Sequence, residues 1–238
     1  MQDLFGTPTA LRDASPATAA ALDGLAAVVD ADGELPRWFK HLLVACVAAL
    51  KRRDDETHRW VRSAVDAGAP PAAVVAIAID ATLSRGVHVA ADILGALAAA
   101  GVAPPSAPSA GQLAIDTDPD ADAIRAYFTG VFGAVPDRVA LLMDHCFPAM
   151  AAYHLMRQAG LEDSVLPGYL LELVLVTLNA AEYQPVFVEV HALGARQKGA
   201  SEAQLVEACV CAIPLAGVAA WLPASQGILA SRPDPTGG

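Results

Sequence analysis

Apolar residues recur at three- and four-residue spacing along most of the chain, and no segment alternates strictly between apolar and polar. That period predicts helices rather than strands. Two Asp-Gly dipeptides are present, but neither separates two β-branched runs: Asp23-Gly24 lies within an Ala/Leu-rich helical pattern, and Asp32-Gly33 stands between two helices. Helix starts are marked by a capping residue just before a proline at Ser15-Pro16 and Asp118-Pro119. Ser201 with Gln204 has the form of a capping box. The expectation is an all-α protein without strands.

From Ala100 to Asp120 the composition turns to Gly, Pro, Ser, Ala and Asp, as in a linker. The segment divides two helical halves that align with each other at an offset of 131 residues without insertion. Leu35-Pro36 falls on Leu166-Pro167, Leu42 on Leu173, Ala49 on Ala180, Gly68-Ala69 on Gly199-Ala200 and Gly86-Val87 on Gly217-Val218. The register predicts a tandem repeat, with 12–100 as the first copy, 101–118 as linker and 119–230 as the second copy. Each copy reads as a helix (Leu35 to Leu50, or Leu166 to Ala181), a turn, a second helix (Asp54 to Ala67, or Pro185 to Lys198), a Gly-Ala break and two more helices. The glycine after the second helix suits a left-handed C′ position. Residues from Ser231 to Gly238 are expected to be disordered.

Composition sharpens this picture. Apolar residues make up 55% of the chain but aromatics only 5%, so alanine dominates and helices are expected to approach closely in a bundle. A formal net charge of -11 argues against nucleic acid as a partner. The start Met1-Gln2-Asp3-Leu4-Phe5 lacks the regions of a secretory signal, and the long uncharged stretch Ala208 to Ala224 is interrupted by Pro214, Gly217 and Pro223. A cytoplasmic protein with no membrane span is expected. The four cysteines, Cys46, Cys146, Cys209 and Cys211, lie in apolar runs without CxxC spacing and read as small buried hydrophobes.

Candidate chemistry sits in the second copy. Glu172 is a carboxylate within Leu170-Leu171-Glu172-Leu173-Val174-Leu175-Val176, and His191 lies on the next helix. If these helices are antiparallel around a turn at Glu182 to Gln184, Glu172 is about 13 Å down one and His191 about 9 Å along the other. The two side chains then meet at one level. Burial raises a carboxylate pKa and a neighbouring carboxylate raises that of an imidazole, which suits proton transfer near neutral pH. A Glu–His hydrogen bond that only braces the hairpin is the competing reading. Glu182, Tyr183 and Gln184 at the turn, with Phe187 and His88, are candidates to line a substrate pocket.

Other polar residues read as structural or solvated. His58 lies in the solvated run around Lys51 to Glu56, His145 and His154 are nine residues apart and do not form an i, i+4 metal pair, Arg157 is a possible carboxylate anchor, and Glu189 is expected to face solvent. No GxGxxG, Walker-type loop, HExxH or nucleophile elbow is present. No cofactor and no metal are called for.

Residues Leu166 to Ala208 resemble the core of the carboxymuconolactone decarboxylase and AhpD-like alkylhydroperoxidase superfamily. The shared pattern is a Leu-Pro helix start, Glu172, His191 nineteen residues later, Ala195, Gly199, and the helix marked by Ser201, Leu205, Glu207 and Ala208. The resemblance implies an AhpD-like helical bundle, assembly into trimers or hexamers, and active sites near the Glu and His; for a duplicated chain the expectation is a homo-oligomer, a trimer or dimer. It also implies departures. The peroxidase branch carries cysteines seven and four residues before the His; here Gln184 and Phe187 stand there, which removes thiol peroxidase chemistry. Phe187 also replaces an acidic residue frequent in the decarboxylase branch. In the first copy His41 stands in place of Glu172 and Trp60 in place of His191, so one site per chain is expected. The leading expectation is a cofactor-independent lyase, decarboxylase or isomerase acting on a small carboxylated or lactone-like molecule. The alternative is a non-catalytic small-molecule-binding or assembly protein of the same fold.

Overall fold

A computed structural model describes residues 5–105, 115–162 and 164–233. All regular structure among them is helical: α1 (Thr9–Ala14), α2 (Pro16–Val29), α3 (Arg37–Leu50), α4 (Asp54–Asp66), α5 (Pro71–Arg85), α6 (Val87–Ala99), α7 (Ala121–Phe132), α8 (Asp137–His145), α9 (Phe147–Leu161), α10 (Gly168–Ala181), α11 (Pro185–Gln197), α12 (Glu202–Val210), α13 (Ile213–Ala216) and α14 (Trp221–Ala230), the last preceded by a 3-10 turn at Val218–Ala220. Among the described residues no helix is long and apolar enough to cross a membrane.

The chain forms two compact units, one made of 1–105 with 165–238 and the other of 106–164. Residues 119–164, expected to belong with the second copy, therefore form a unit of their own, while helices α3–α6 and α10–α14 pack together in the other. The reason lies in α3 and α10. Phe39 to Ala49 of α3 and Leu170 to Ala181 of α10 are buried all round, and a helix apolar on every side needs partners on every side. In the first unit α3 and α10 pack on each other and each forms a hairpin, with α4 and α11 respectively. Side chains also cross between them: Lys51 pairs with Glu182, 131 residues away, at 2.6 Å, and the Arg85 guanidinium donates to the Leu178 carbonyl and Asn179 Oδ1.

Helix limits recur at the register seen in the sequence, with Arg37–Leu50 answered by Gly168–Ala181 and Asp54–Asp66 by Pro185–Gln197. The same holds for unusual backbone: Arg52 (φ 57°) and Tyr183 (59°), Gly68 (92°) and Gly199 (98°), Gly86 (77°) and Gly217 (81°). Where 71–85 is one helix, 202–216 is two. Pro214 lacks an amide proton and its ring clashes with the carbonyl four residues back, at Val210, where α12 stops.

Gly86 and Gly217 join their flanking helices with ψ of 177° and 165°, a region open almost only to glycine. A Cβ at either meets nothing within 4 Å. Gly86→Ala and Gly217→Ala should therefore each lose about 1–3 kcal/mol through backbone strain alone. Gly95→Ala, inside α6 and equally open, should gain about 0.5–1 kcal/mol. Urea denaturation measures all three, and equal effects at the three sites would contradict the assignment.

The second unit has a small core of Ile124, Phe128, Val139, Met143 and Met150. Its first helix is capped by Asp120, whose side chain accepts from the Ala123 amide at 2.8 Å, rather than by Asp118 as the Asp-Pro signal suggested. His154 is buried edge-on to Tyr127 at 4.7 Å between ring centroids, and burial lowers its pKa. Arg157 Nε donates to the Tyr127 hydroxyl, which donates to Glu162, so Arg157 is tied into this helix packing. His145, by contrast, is exposed in the last turn of α8.

Two further expectations change. Ser231 and Arg232 are tied down: Ser231 is buried, its hydroxyl accepting from Arg196 Nε, and Arg232 forms a bidentate pair with Glu202. Residues 234–238 of the expected tail and 106–114 of the expected linker lie outside the described residues. Cys46, Cys209 and Cys211 are buried, but Cys146 is exposed, because it is the junction between α8 and α9, extended at φ −154°.

Candidate functional site

Glu172 and His191 belong to the α10–α11 hairpin, whose turn is made by Glu182, Tyr183 and Gln184 with Tyr183 in left-handed backbone. The antiparallel helices bring the two side chains to one level. His191 Nδ1 lies 2.9 Å from Glu172 Oε2, and Lys198 Nζ donates to Glu172 Oε1 at 2.9 Å. Glu172 is 4% exposed, whereas the side chains of His191 and Lys198 are 16% and 36% exposed. The carboxylate is thus the inner member, and the imidazole reaches toward solvent.

Burial alone pushes the Glu172 carboxyl up, as the sequence suggested. The hydrogen bond and charge of His191, joined by those of Lys198, outweigh it and hold the group below its ordinary value of 4.5. Glu172 is therefore ionised at neutral pH, which corrects the expectation of a carboxyl raised by its apolar surroundings. Lys198 is the residue that sequence reasoning missed. It lies seven residues after His191, two helical turns on and on the same face, but a lysine near a helix end reads first as a solvated charge.

The lowered carboxyl makes a pH prediction. A group whose folded pKa lies below its unfolded one stabilises the fold above the unfolded value, and this contribution disappears as pH falls through the folded pKa. The stability difference between the wild type and Glu172→Gln should be constant near neutral pH and narrow below about 4.5. Thermal melts from pH 7 to 3 measure it; a gap that widens on acidification would show a carboxyl raised, not lowered.

Most of the other expected site residues lie away from the pair. Glu182 pairs with Lys51, and Tyr183 lies under Lys51 Nζ (5.7 Å to the ring centroid) with its hydroxyl donating to the Ala216 carbonyl at 2.5 Å. At 1.5 Å per residue this turn is about 15 Å along α10 from Glu172. Gln184 is exposed at the N-cap of α11 without a side-chain cap bond. His88 is part-buried in the first turn of α6, a helix that packs on α3, α4 and α5. Only Phe187 shares the neighbourhood, one turn before His191 and 52% exposed. His58 and Glu189 are exposed on their helices.

Phe187 is part of a wider apolar face. Val186, Val190 and Leu193 on α11 are also exposed, between 40% and 66%. The positions 131 residues earlier hold Asp55, Glu56, Arg59 and Arg62, the charged outer face expected of a solvated helix. At the counterpart of the Glu–His pair, His41 packs edge-on to Trp60 at 5.2 Å between centroids, with its Nε2 3.2 Å from Asp30. Burial lowers the pKa of His41. The first half therefore keeps a filled contact there in which a histidine and a tryptophan stand at the two positions and the carboxylate beside His41 is Asp30, from the end of α2.

Among the described residues no group of three or more His, Cys, Asp or Glu side chains is arranged to hold a metal ion. The Cys209 thiol is pushed up to about 12 by burial, and those of Cys46 and Cys211 are raised further by the same cause. No protein-family model matches the chain, and no curated protein matches it significantly.

Proposed function

We propose that this chain is a cofactor-independent acid–base enzyme, a tandem-duplicated relative of the carboxymuconolactone decarboxylase and AhpD-like superfamily with one working half. The observation that carries this reading is the Glu172–His191 contact of 2.9 Å, with an ionised inner carboxylate and an imidazole that reaches solvent. An ionised Glu172 accepts at Oε2, so His191 donates through Nδ1 and its Nε2 is left as the base. A positioned imidazole of this kind takes a proton beside a developing enolate and returns it. Decarboxylation, isomerisation and lactone opening of a small carboxylated or lactone-like substrate all need that step.

The duplication is supported by the shared helix limits, the three pairs of positive φ angles and the Lys51–Glu182 bond between corresponding positions. Gln184 and Phe187 at the peroxidase cysteine positions, with three buried thiols shifted away from the reactive thiolate, count against thiol peroxidase chemistry. The exposed apolar face of α11 favours a second reading, a binding or assembly protein that associates as a homo-oligomer through that face.

The test incubates the protein in deuterated buffer with small γ-lactones and 3-oxo acids, following deuterium incorporation, ring opening and carbon dioxide release. Turnover by the wild type that is lost in His191→Asn supports the enzyme. Equal rates in both remove His191 from the mechanism, and inertness toward all of them together with an oligomeric mass favours the assembly reading.

A further inference from the structure

Each oxygen of Glu172 has one donor, His191 at Oε2 and Lys198 at Oε1. Two glycines shape the seat. A Cβ at Gly194 would stand 2.9 Å from the Glu172 carboxyl carbon and from Oε1, and a Cβ at Gly168 would stand 2.9 Å from Lys198 Cδ. Contacts that tight force the neighbour to move.

The positions 131 residues earlier differ at all five of these residues. Glu172, His191, Lys198, Gly168 and Gly194 are answered by His41, Trp60, Ala67, Arg37 and Ser63. None of the five is kept, while framework positions such as Leu35-Pro36 and Gly86 recur at 166–167 and 217. A lysine serving only as a solvated charge would have no reason to appear with a glycine that clears its stem and another that clears its partner's carboxylate.

We propose that Lys198 is a positioning residue of the candidate site: its ammonium occupies Oε1 of Glu172, leaving Oε2 to His191 and so fixing the imidazole with Nδ1–H toward the carboxylate and Nε2 free. The inference rests on the acid–base reading of His191 for its purpose, but its physical content is the state of one imidazole. A carboxylate without Lys198 loses the donor that holds its side chain in place, so it is free to swing out of reach of Nδ1 or to take up a proton in its apolar surroundings. Either change loosens the hold on the tautomer, and a histidine in the wrong tautomer is a poor base.

The imidazole state is read without any substrate. Nitrogen-15 spectra of the full chain, labelled at histidine and recorded at alkaline pH, report which ring nitrogen carries the proton; His191→Asn assigns the signals. The wild type should show His191 protonated at Nδ1 only. Lys198→Met should shift both His191 nitrogens toward the average of two tautomers, and Lys198→Arg should restore the wild-type pattern. Gly168→Ala, which displaces the lysine stem, should move the signals in the direction of Lys198→Met. The His41 and His154 signals report that each variant is folded. Turnover of the lactone and oxo-acid set should fall about tenfold or more in Lys198→Met and recover in Lys198→Arg. His191 signals unchanged in folded Lys198→Met overturn the proposal. Signals that move as expected, beside a His191→Asn variant that keeps full turnover, leave Lys198 in its positioning role and overturn the acid–base reading instead.

Discussion

Glu207→Ala should destabilise the protein by about 3–5 kcal/mol, the cost of leaving a buried charge without its partner. Lys40, on α3, is 1% exposed, and its ammonium has two acceptors, the Val28 carbonyl and Glu207 Oε1, both at 2.7 Å. The other oxygen of Glu207 accepts from the Leu35 amide at 2.6 Å, and a side chain at Gly33 would overlap the carboxylate. Removing the carboxylate leaves the ammonium with the Val28 carbonyl but no counter-charge, and the Leu35 amide without its acceptor. The double variant Lys40→Met, Glu207→Leu should recover most of the loss, because replacing a buried ion pair with apolar groups is often neutral. Urea denaturation of the two single variants and the double closes the cycle. A loss below about 1 kcal/mol in Glu207→Ala would mean that Lys40 finds water or another acceptor.

His191→Asn should lower turnover by about 10²–10⁴-fold, the range that a positioned general acid–base contributes, or about 2.7–5.5 kcal/mol of transition-state stabilisation. The asparagine amide still reaches toward Glu172 Oε2 as a donor, so the hairpin keeps its brace and the melting temperature should move little. That asymmetry separates the two readings of the pair. A brace that asparagine preserves predicts turnover untouched beside the unchanged melting temperature; an acid–base residue predicts turnover lost beside it. Glu172→Gln should lose turnover on a similar scale, because an amide is free to present its NH₂ to Nδ1 and stabilise the other tautomer, as in the carboxylate–histidine pairs of hydrolases.

Much of the fold was legible in the sequence because helices announce themselves locally. The three- and four-residue spacing marked the helices, Ser15 and Ser201 marked two caps that form as expected, and Gly68 and Gly199 marked left-handed breaks. The Glu172–His191 contact was also within reach, since two residues at matched distances from one tight turn meet on an antiparallel hairpin. Lys198 was not, because its pairing depends on a carboxylate facing inward and on the space left by Gly168 and Gly194. The partners of Glu182 and Tyr183 were hidden for a related reason: they are Lys51, 131 residues from Glu182, and the carbonyl of Ala216.

The sequence by itself determined the helical class, the caps and breaks, the 131-residue register and the candidacy of Glu172 and His191, all of which are set by neighbours within a few turns of chain or by comparison of the chain with itself. Only the tertiary structure decided that α3 and α10 share one core, that residues 106–164 form a separate compact unit, and that Glu172 is an ionised carboxylate rather than a raised one. Those outcomes depend on which charge or apolar face lies across a helix interface. Burial and a partnered ammonium act on a carboxyl in opposite directions, and their balance is set by distances of a few ångströms between segments far apart in the chain.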